Sequence, residues 1–140
     1  LLIDCLDLKN ACQDRNMRPV VFIGPYEHHS NLLPWRESGC EVVRVPECKK
    51  RRTVDLHELE RLLSNPQFNN RIKIGTFSAA SNVTGKVSDV NAIATILHQH
   101  QALAFFDYAT GAPYMKMDMN PSPASGTDCP DASLVAKDAI

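Results

Sequence analysis

The sequence predicts an α/β domain built on a mainly parallel sheet. Two observations carry that prediction. Apolar, β-branched runs suited to buried strands recur four times along the chain, and segments with the apolar spacing of helices separate them. This alternation is the pattern of consecutive strand and helix units, each strand covered by helices. A length of 140 residues fits one domain, taken here as 1–140.

The first strand is the run 19–23, ended by Gly24 and Pro25. It leads through Glu27, His28, His29, Ser30 and Asn31 into a short helix over 32–38, which Gly39 closes. Residues 40–45 alternate and are rich in valine, as a strand should be, and Pro46 ends them. After a charged loop, Asp55 precedes Leu56, Leu59, Leu62 and Leu63. Their spacing puts the leucines on one helical face, with Asp55 as the N-terminal cap and Asn65-Pro66 as the stop.

A third strand over 71–77 runs into the polar turn 78–85, and a helix follows from Asp89 to His100. The fourth strand, 102–106, is apolar on both faces, as a central strand between helices requires, and Asp107 stands at its carboxyl end. The segment 118–130 is rich in Pro, Ser, Asp and Gly and is expected to be a surface loop. Residues 132–136 fit either a short helix or a strand. The chain opens in what reads as mid-helix and stops as an apolar run begins, so both ends are expected to be cuts.

Composition narrows the function classes. Apolar residues at 44% and charged residues at 22% support a packed core rather than disorder. A net charge of -1 gives no electrostatic reason to expect nucleic acid or an anionic membrane as partner. No run approaches the roughly 20 apolar residues that cross a bilayer, and the first residues lack the basic flank of a signal peptide. Cys5, Cys12, Cys40, Cys48 and Cys129 are odd in number and never spaced C-x-x-C, which argues against a disulfide framework and a zinc site. Free thiols in the cytoplasm or another reducing compartment are expected, with no metal.

Ligands of open α/β sheets bind outside the carboxyl ends of the strands. Three polar clusters stand there: Glu27-His28-His29, Ser81-Asn82, and Asp107 through Thr110. Singly, each has an ordinary reading. An aspartate at a strand end commonly forms a turn, and Asn82 suits a turn because asparagine tolerates left-handed backbone.

Their order and company say more. The run Glu27-His28-His29-Ser30-Asn31-Leu32-Leu33-Pro34-Trp35 resembles the E-H-H-x-N-x-x-P-W segment of cysteine desulfurases, which are pyridoxal-phosphate (PLP) enzymes of the class V aminotransferase type. Ser81-Asn82-Val83-Thr84-Gly85 resembles the S-N-x-x-G turn of that family, and Asp107-Tyr108-Ala109 its D-G-A or D-A-x segment, in the same order.

The resemblance implies a three-layer α/β/α architecture, part of the large domain of fold-type I PLP-dependent transferases. It also implies pyridoxal 5'-phosphate as cofactor, an amino-acid substrate handled through a Schiff base, and a homodimeric full-length parent. Four residues inherit cofactor-binding roles: His28 stacks on the ring, Asp107 partners the pyridine nitrogen, and Asn82 and Thr110 lie near the phenolic oxygen. A carboxylate beside that nitrogen favours its protonated form, which strengthens the electron sink that PLP provides. His29 keeps a structural reading.

The departures are specific. Thr110 stands where desulfurases have glutamine, which bears on the reaction more than on cofactor binding, and Tyr108 replaces a small residue. The Schiff-base lysine in its S-x-H-K context is absent. Lys137 lacks the flanking Ser and His and is expected to be a solvated surface residue. The hydroxyl-rich phosphate turn would precede Leu1. The chain is therefore expected to hold part of a site and to be inactive alone.

The alternative is a non-catalytic or nucleotide-binding α/β module, since the alternation of strands and helices supports many functions. Its one hint, Thr84-Gly85-Lys86, lacks the P-loop pattern: Ala80 and Val87 stand where Gly and Ser or Thr are needed. The basic run from Lys49 to Arg52 is read as solvated, as are His98 and His100 at a helix end.

Overall fold

The computed structural model describes residues 1–121 and 131–140. Two single-turn helices open it, α1 (Leu2–Cys5) and α2 (Leu8–Ala11), broken apart at Asp7, whose φ of 50° is left-handed. Then come β1 (Val20–Ile23), a 3-10 turn (His29–Asn31), α3 (Leu33–Glu37) and β2 (Glu41–Arg44). A small ribbon of β3 (Glu47–Cys48) and β4 (Thr53–Val54) precedes α4 (Leu56–Leu63) and a 3-10 turn at Pro66–Phe68. β5 (Lys73–Ser78), α5 (Val90–Gln99), β6 (Ala102–Asp107) and a 3-10 turn (Ala132–Val135) complete the order.

The main sheet runs β2-β1-β5-β6 with every pairing parallel. After β1 the chain adds β2 on one side and β5 on the other. That reversal leaves a crevice between the carboxyl ends of β1 and β5, the place where such sheets bind ligands.

Side chains alternate between two cores. Val20 and Phe22 of β1, Phe77 of β5, and Ala104 and Phe106 of β6 face Leu59 and Leu63 of α4 and Ile93 and Leu97 of α5. Val21, Ile23, Ile74 and Phe105 point the other way, onto Leu8 of α2 and onto Leu32 and Trp35. Helices thus cover both faces, and the architecture is the expected three-layer α/β/α. Trp35 stacks on Phe105 with ring centroids 6.2 Å apart, which anchors α3 directly behind the end of β6. Gly75 lets α5 approach the opposite face, because a Cβ there would lie 2.5 Å from Leu97 Cδ1.

Local chemistry ends the helices where expected. Asp55 accepts from the N–H groups of His57 and Glu58, Asp89 accepts from Ala92 N–H, and Gly39 leaves α3 at φ 88°.

Three expectations are corrected. The charged loop after Pro46 is a ribbon: Glu47 pairs with Val54 and Cys48 with Thr53, the basic run makes its turn, and Arg52, at φ 59°, forms an ion pair with Glu47. Lys137 is not solvated but only 5% exposed, its Nζ donating to Asn91 Oδ1 at 3.0 Å. Burial holds its amine below the ordinary value of 10.5. His98 is not a free surface residue either, because Leu134 O and Asp138 Oδ2 lie 2.9 and 3.0 Å from its ring nitrogens.

The corrections at Lys137 and His98 have one cause. Residues 131–140 return across α5 and settle against β6, where Ala139 bridges Phe105 in parallel. The 3-10 turn at Ala132–Val135 resolves the choice between helix and strand, and Ala139 makes a single isolated bridge to β6.

Of the expected loop 118–130, residues 122–130, with Cys129, lie outside the described residues. Cys5, Cys12, Cys40 and Cys48 are free thiols, and burial raises Cys12, whose Sγ lies 3.7 Å from Cys40 Sγ, to about 11. Among the described residues no helix is long and apolar enough to cross a membrane.

Candidate functional site

The sheet face that packs on Trp35 is apolar in its middle and turns polar at its carboxyl end. On β5, Ile74 gives way to Thr76 and Ser78; on β6, Phe105 gives way to Asp107. Ser78 and Asp107 are partners in register, so the two strand ends present a hydroxyl beside a carboxylate.

The loop after β1 folds back onto these ends. Gly24 permits it, since a Cβ there would sit 2.5 Å from Glu27 Oε1. Glu27 Oε1 accepts from Ser78 N–H at 2.9 Å, and Oε2 accepts from Ser78 Oγ and Asn31 Nδ2, each at 2.7 Å. Thr76 Oγ1 donates to Asn31 Oδ1 at 2.6 Å. Burial pushes the Glu27 carboxyl above its ordinary value, and the bonds from Ser78 and Asn31 oppose that rise without cancelling it.

His28 sits inside this tethered loop. Its Nδ1 accepts the backbone N–H of Ser30 at 3.2 Å and lies 2.8 Å from Ser30 Oγ. A backbone N–H can only donate, so the neutral ring carries its proton on Nε2. His29 packs 6.1 Å from His28, centroid to centroid, and does not line the cleft described below.

Asp107 Oδ1 accepts from Ala109 N–H at 2.8 Å, which turns the chain at the strand end. Oδ2 has no partner among the described residues. Tyr108 alternates to the opposite face and is buried in the core of α4 and α5, where burial raises its phenol, so it does not crowd Asp107.

The turn after β5 is a small hairpin. Ala80 bridges Val87, Ser81 N–H donates to Lys86 O, and Ser81 Oγ accepts from the N–H groups of Val83 and Thr84. The left-handed position is Gly85, at φ 67°, not Asn82. The turn therefore makes no backbone demand for asparagine at 82. Thr84-Gly85-Lys86 lies inside this hairpin, several residues before α5, so its amides form no helix N-terminus for a phosphate.

These segments enclose one cleft of about 220 Å³. His28, Asn82, Asp107 and Thr110, all four residues singled out in the sequence, line it together with Ser30, Ser78, Ala80 and Ala109. Among the described residues its chemistry is a single carboxylate, one imidazole, and hydroxyl and amide groups, with no lysine or arginine in the lining. Such a wall suits a flat heteroaromatic ring with a protonated nitrogen at the Asp107 end and hydrogen-bonding substituents beside it. The charge of a phosphate finds no side-chain cation there. Glu27, Asn31 and Thr76 are the residues that sequence reasoning left without a role. For Glu27 and Asn31 the signal was their place in the E-H-H-x-N-x-x-P-W resemblance; Thr76 had none.

Comparison with known proteins identifies the family of the chain. The family model of aminotransferase class-V matches residues 10–124. A probable cysteine desulfurase of Halalkalibacterium halodurans is 34% identical over 103 residues, covering 71% of this chain and 24% of that protein. A probable cysteine desulfurase of Methanothermobacter thermautotrophicus is 33% identical over 102 residues, again 71% of this chain and 24% of the relative. The crystal structure of the cysteine desulfurase CsdA from Escherichia coli superposes with a TM-score of 0.59 at 28% identity, over 76% of this chain and 28% of that one. The chain thus spans about a quarter of the length of these relatives.

Proposed function

Because the chain belongs to the aminotransferase class-V family, we propose that it supplies the ring-binding part of a PLP site in an enzyme acting on an amino acid. The observation that carries this reading is the convergence of His28, Asn82, Asp107 and Thr110 on one cleft at the switch point of the sheet.

The cofactor, when bound, supplies the electron sink for reactions at the substrate's α-carbon. This chain's residues bind and polarise it. Asp107 offers Oδ2 to the pyridine N–H, and its negative charge favours the protonated ring. The His28 imidazole, held by Ser30 on one edge, covers a face of the ring. Asn82 and Thr110 donate toward the phenolic oxygen, and Thr110 reaches less far than the glutamine that desulfurases have there, which bears on the desulfurase reaction more than on ring binding.

The phosphate-binding turn and the Schiff-base lysine belong to other parts of the full-length protein. The cleft has no cation for the one, and Lys137, bound to Asn91 on the α5 side, does not line it for the other. We place residues 1–140 within the large domain of a homodimer in a reducing compartment.

Replacement of Asp107 by Ala in the full-length protein tests the reading. Loss of a charged hydrogen bond of about 1.5–3 kcal/mol predicts at least a tenfold fall in turnover with the fold intact. Unchanged turnover rejects the pyridine role.

A further inference from the structure

Glu27 is a half-buried carboxylate to which the proposed function gives no task. Both its oxygens are turned to the chain itself, toward Ser78 and Asn31, and it does not line the cleft of His28 and Asp107. It therefore neither takes a proton from a ligand in that cleft nor binds one there. What it does is mechanical, and the path of that connection is short.

Three hydrogen bonds accepted by Glu27 and one donated by Thr76 tie down the residue just before His28 and the residue three places after it. Between these tethers the His28 ring is locked by Ser30. On the other side, Ser78 is the register partner of Asp107. Glu27 to Ser78 to Asp107 is thus a direct path from the loop that carries the imidazole to the strand end that carries the carboxylate. We propose that Glu27 is the positioning residue of the cleft, clamping the 27–31 loop onto Ser78 so that the gap between the His28 ring and Asp107 matches a pyridine ring. This rests on the reading of the cleft as a PLP site. A misplacement of about 1 Å in such a gap can cost on the order of a hundredfold.

Two substitutions separate the clamp from its bulk. In Glu27→Gln the amide oxygen accepts from Ser78 N–H, while its NH2 donates to Ser78 Oγ and to a flipped Asn31 Oδ1. The hydroxyls of Ser78 and Thr76 rotate to suit, and every bond of the network is kept. Glu27→Leu keeps the volume and removes both acceptors, leaving Ser78 N–H without a partner.

The experiment uses the full-length protein, with cofactor-free crystal structures of both variants and equilibrium dialysis against pyridoxal 5'-phosphate. For Glu27→Gln we expect the His28 ring in place and affinity within about threefold of the unmodified protein; for Glu27→Leu, a displaced loop and about tenfold weaker binding, the equivalent of one net hydrogen bond. A role in stability alone would lower the melting temperature of Glu27→Leu without moving His28 or changing affinity, and that result overturns the proposal. If the unmodified protein does not bind pyridoxal 5'-phosphate, the cofactor reading fails by itself, and the crystallographic position of His28 in Glu27→Leu still decides the clamp. Should Glu27→Leu not fold, Glu27→Ala, which removes the same acceptors and lets water reach Ser78 N–H, takes its place; an unmoved His28 loop there overturns the proposal as well.

Discussion

The two faces of β6 divide structure from chemistry within six residues. Ala104, Phe106 and Tyr108 enter the core beneath α4 and α5, while Phe105 and Asp107 face the side of Trp35 and His28. On the first face every position is apolar to the end of the strand and beyond. On the second, the apolar surface stops at Phe105 and a carboxylate follows. The same contrast holds on β5, where Phe77 is core and its neighbours Thr76 and Ser78 bond to the loop after β1. Adjacent residues in one strand thus answer to different demands, and substitution should separate them.

The largest effect belongs to the core face. Phe106→Ala, at a position 3% exposed, should destabilise the fold by about 3–5 kcal/mol in urea unfolding, through lost burial and the cavity left behind. Its neighbour Asp107→Ala should change stability by less than about 1 kcal/mol in the same assay while removing ring binding. Comparable destabilisation at both positions would break the division.

Next is Gly75→Ala on β5, where the new methyl meets the buried Leu97 side chain of α5. Overpacking there should cost about 1–3 kcal/mol and leave the cleft on the opposite face unaltered. Loss of the Asp55 cap in Asp55→Ala should follow, at about 1 kcal/mol, read from the same unfolding curves.

The smallest effect concerns Lys137. Its folded-state value is depressed by burial, so the stability linked to its neutral form is fully present above the ordinary value of 10.5 and is lost as pH falls through the lowered one. Unfolding curves across that alkaline window should show stability rising with pH, and Lys137→Met should abolish that part of the rise. A slope unchanged by the substitution would mean that the amine is solvated after all.

What could be read from the sequence follows the same line. Strands β1 and β6 announce themselves because a strand buried on both faces is a continuous apolar run, and the place of Asp107 follows from where the second run stops. The caps at Asp55 and Asp89 are local chemistry, bonded within three residues, and equally visible. The β3–β4 ribbon was not, because strands of two residues carry no period. Nor was the Glu27 clamp, whose partner Ser78 lies 51 residues away and whose carboxylate looks like any polar loop residue. The burial of Lys137 and His98 depends on where residues 131–140 come back to the sheet, which no local pattern states. Asn82 was legible as a polar turn residue, but the reason for the turn lies in Ser81 and Gly85.

The measurement that bears most directly on the cleft is a crystal structure of the full-length protein with pyridoxal 5'-phosphate. The pyridine nitrogen should lie about 2.7–2.9 Å from Asp107 Oδ2, as a charge-assisted hydrogen bond requires, with the His28 ring across its face. A ring bound elsewhere, or one whose nitrogen faces a group other than Asp107, would contradict the account.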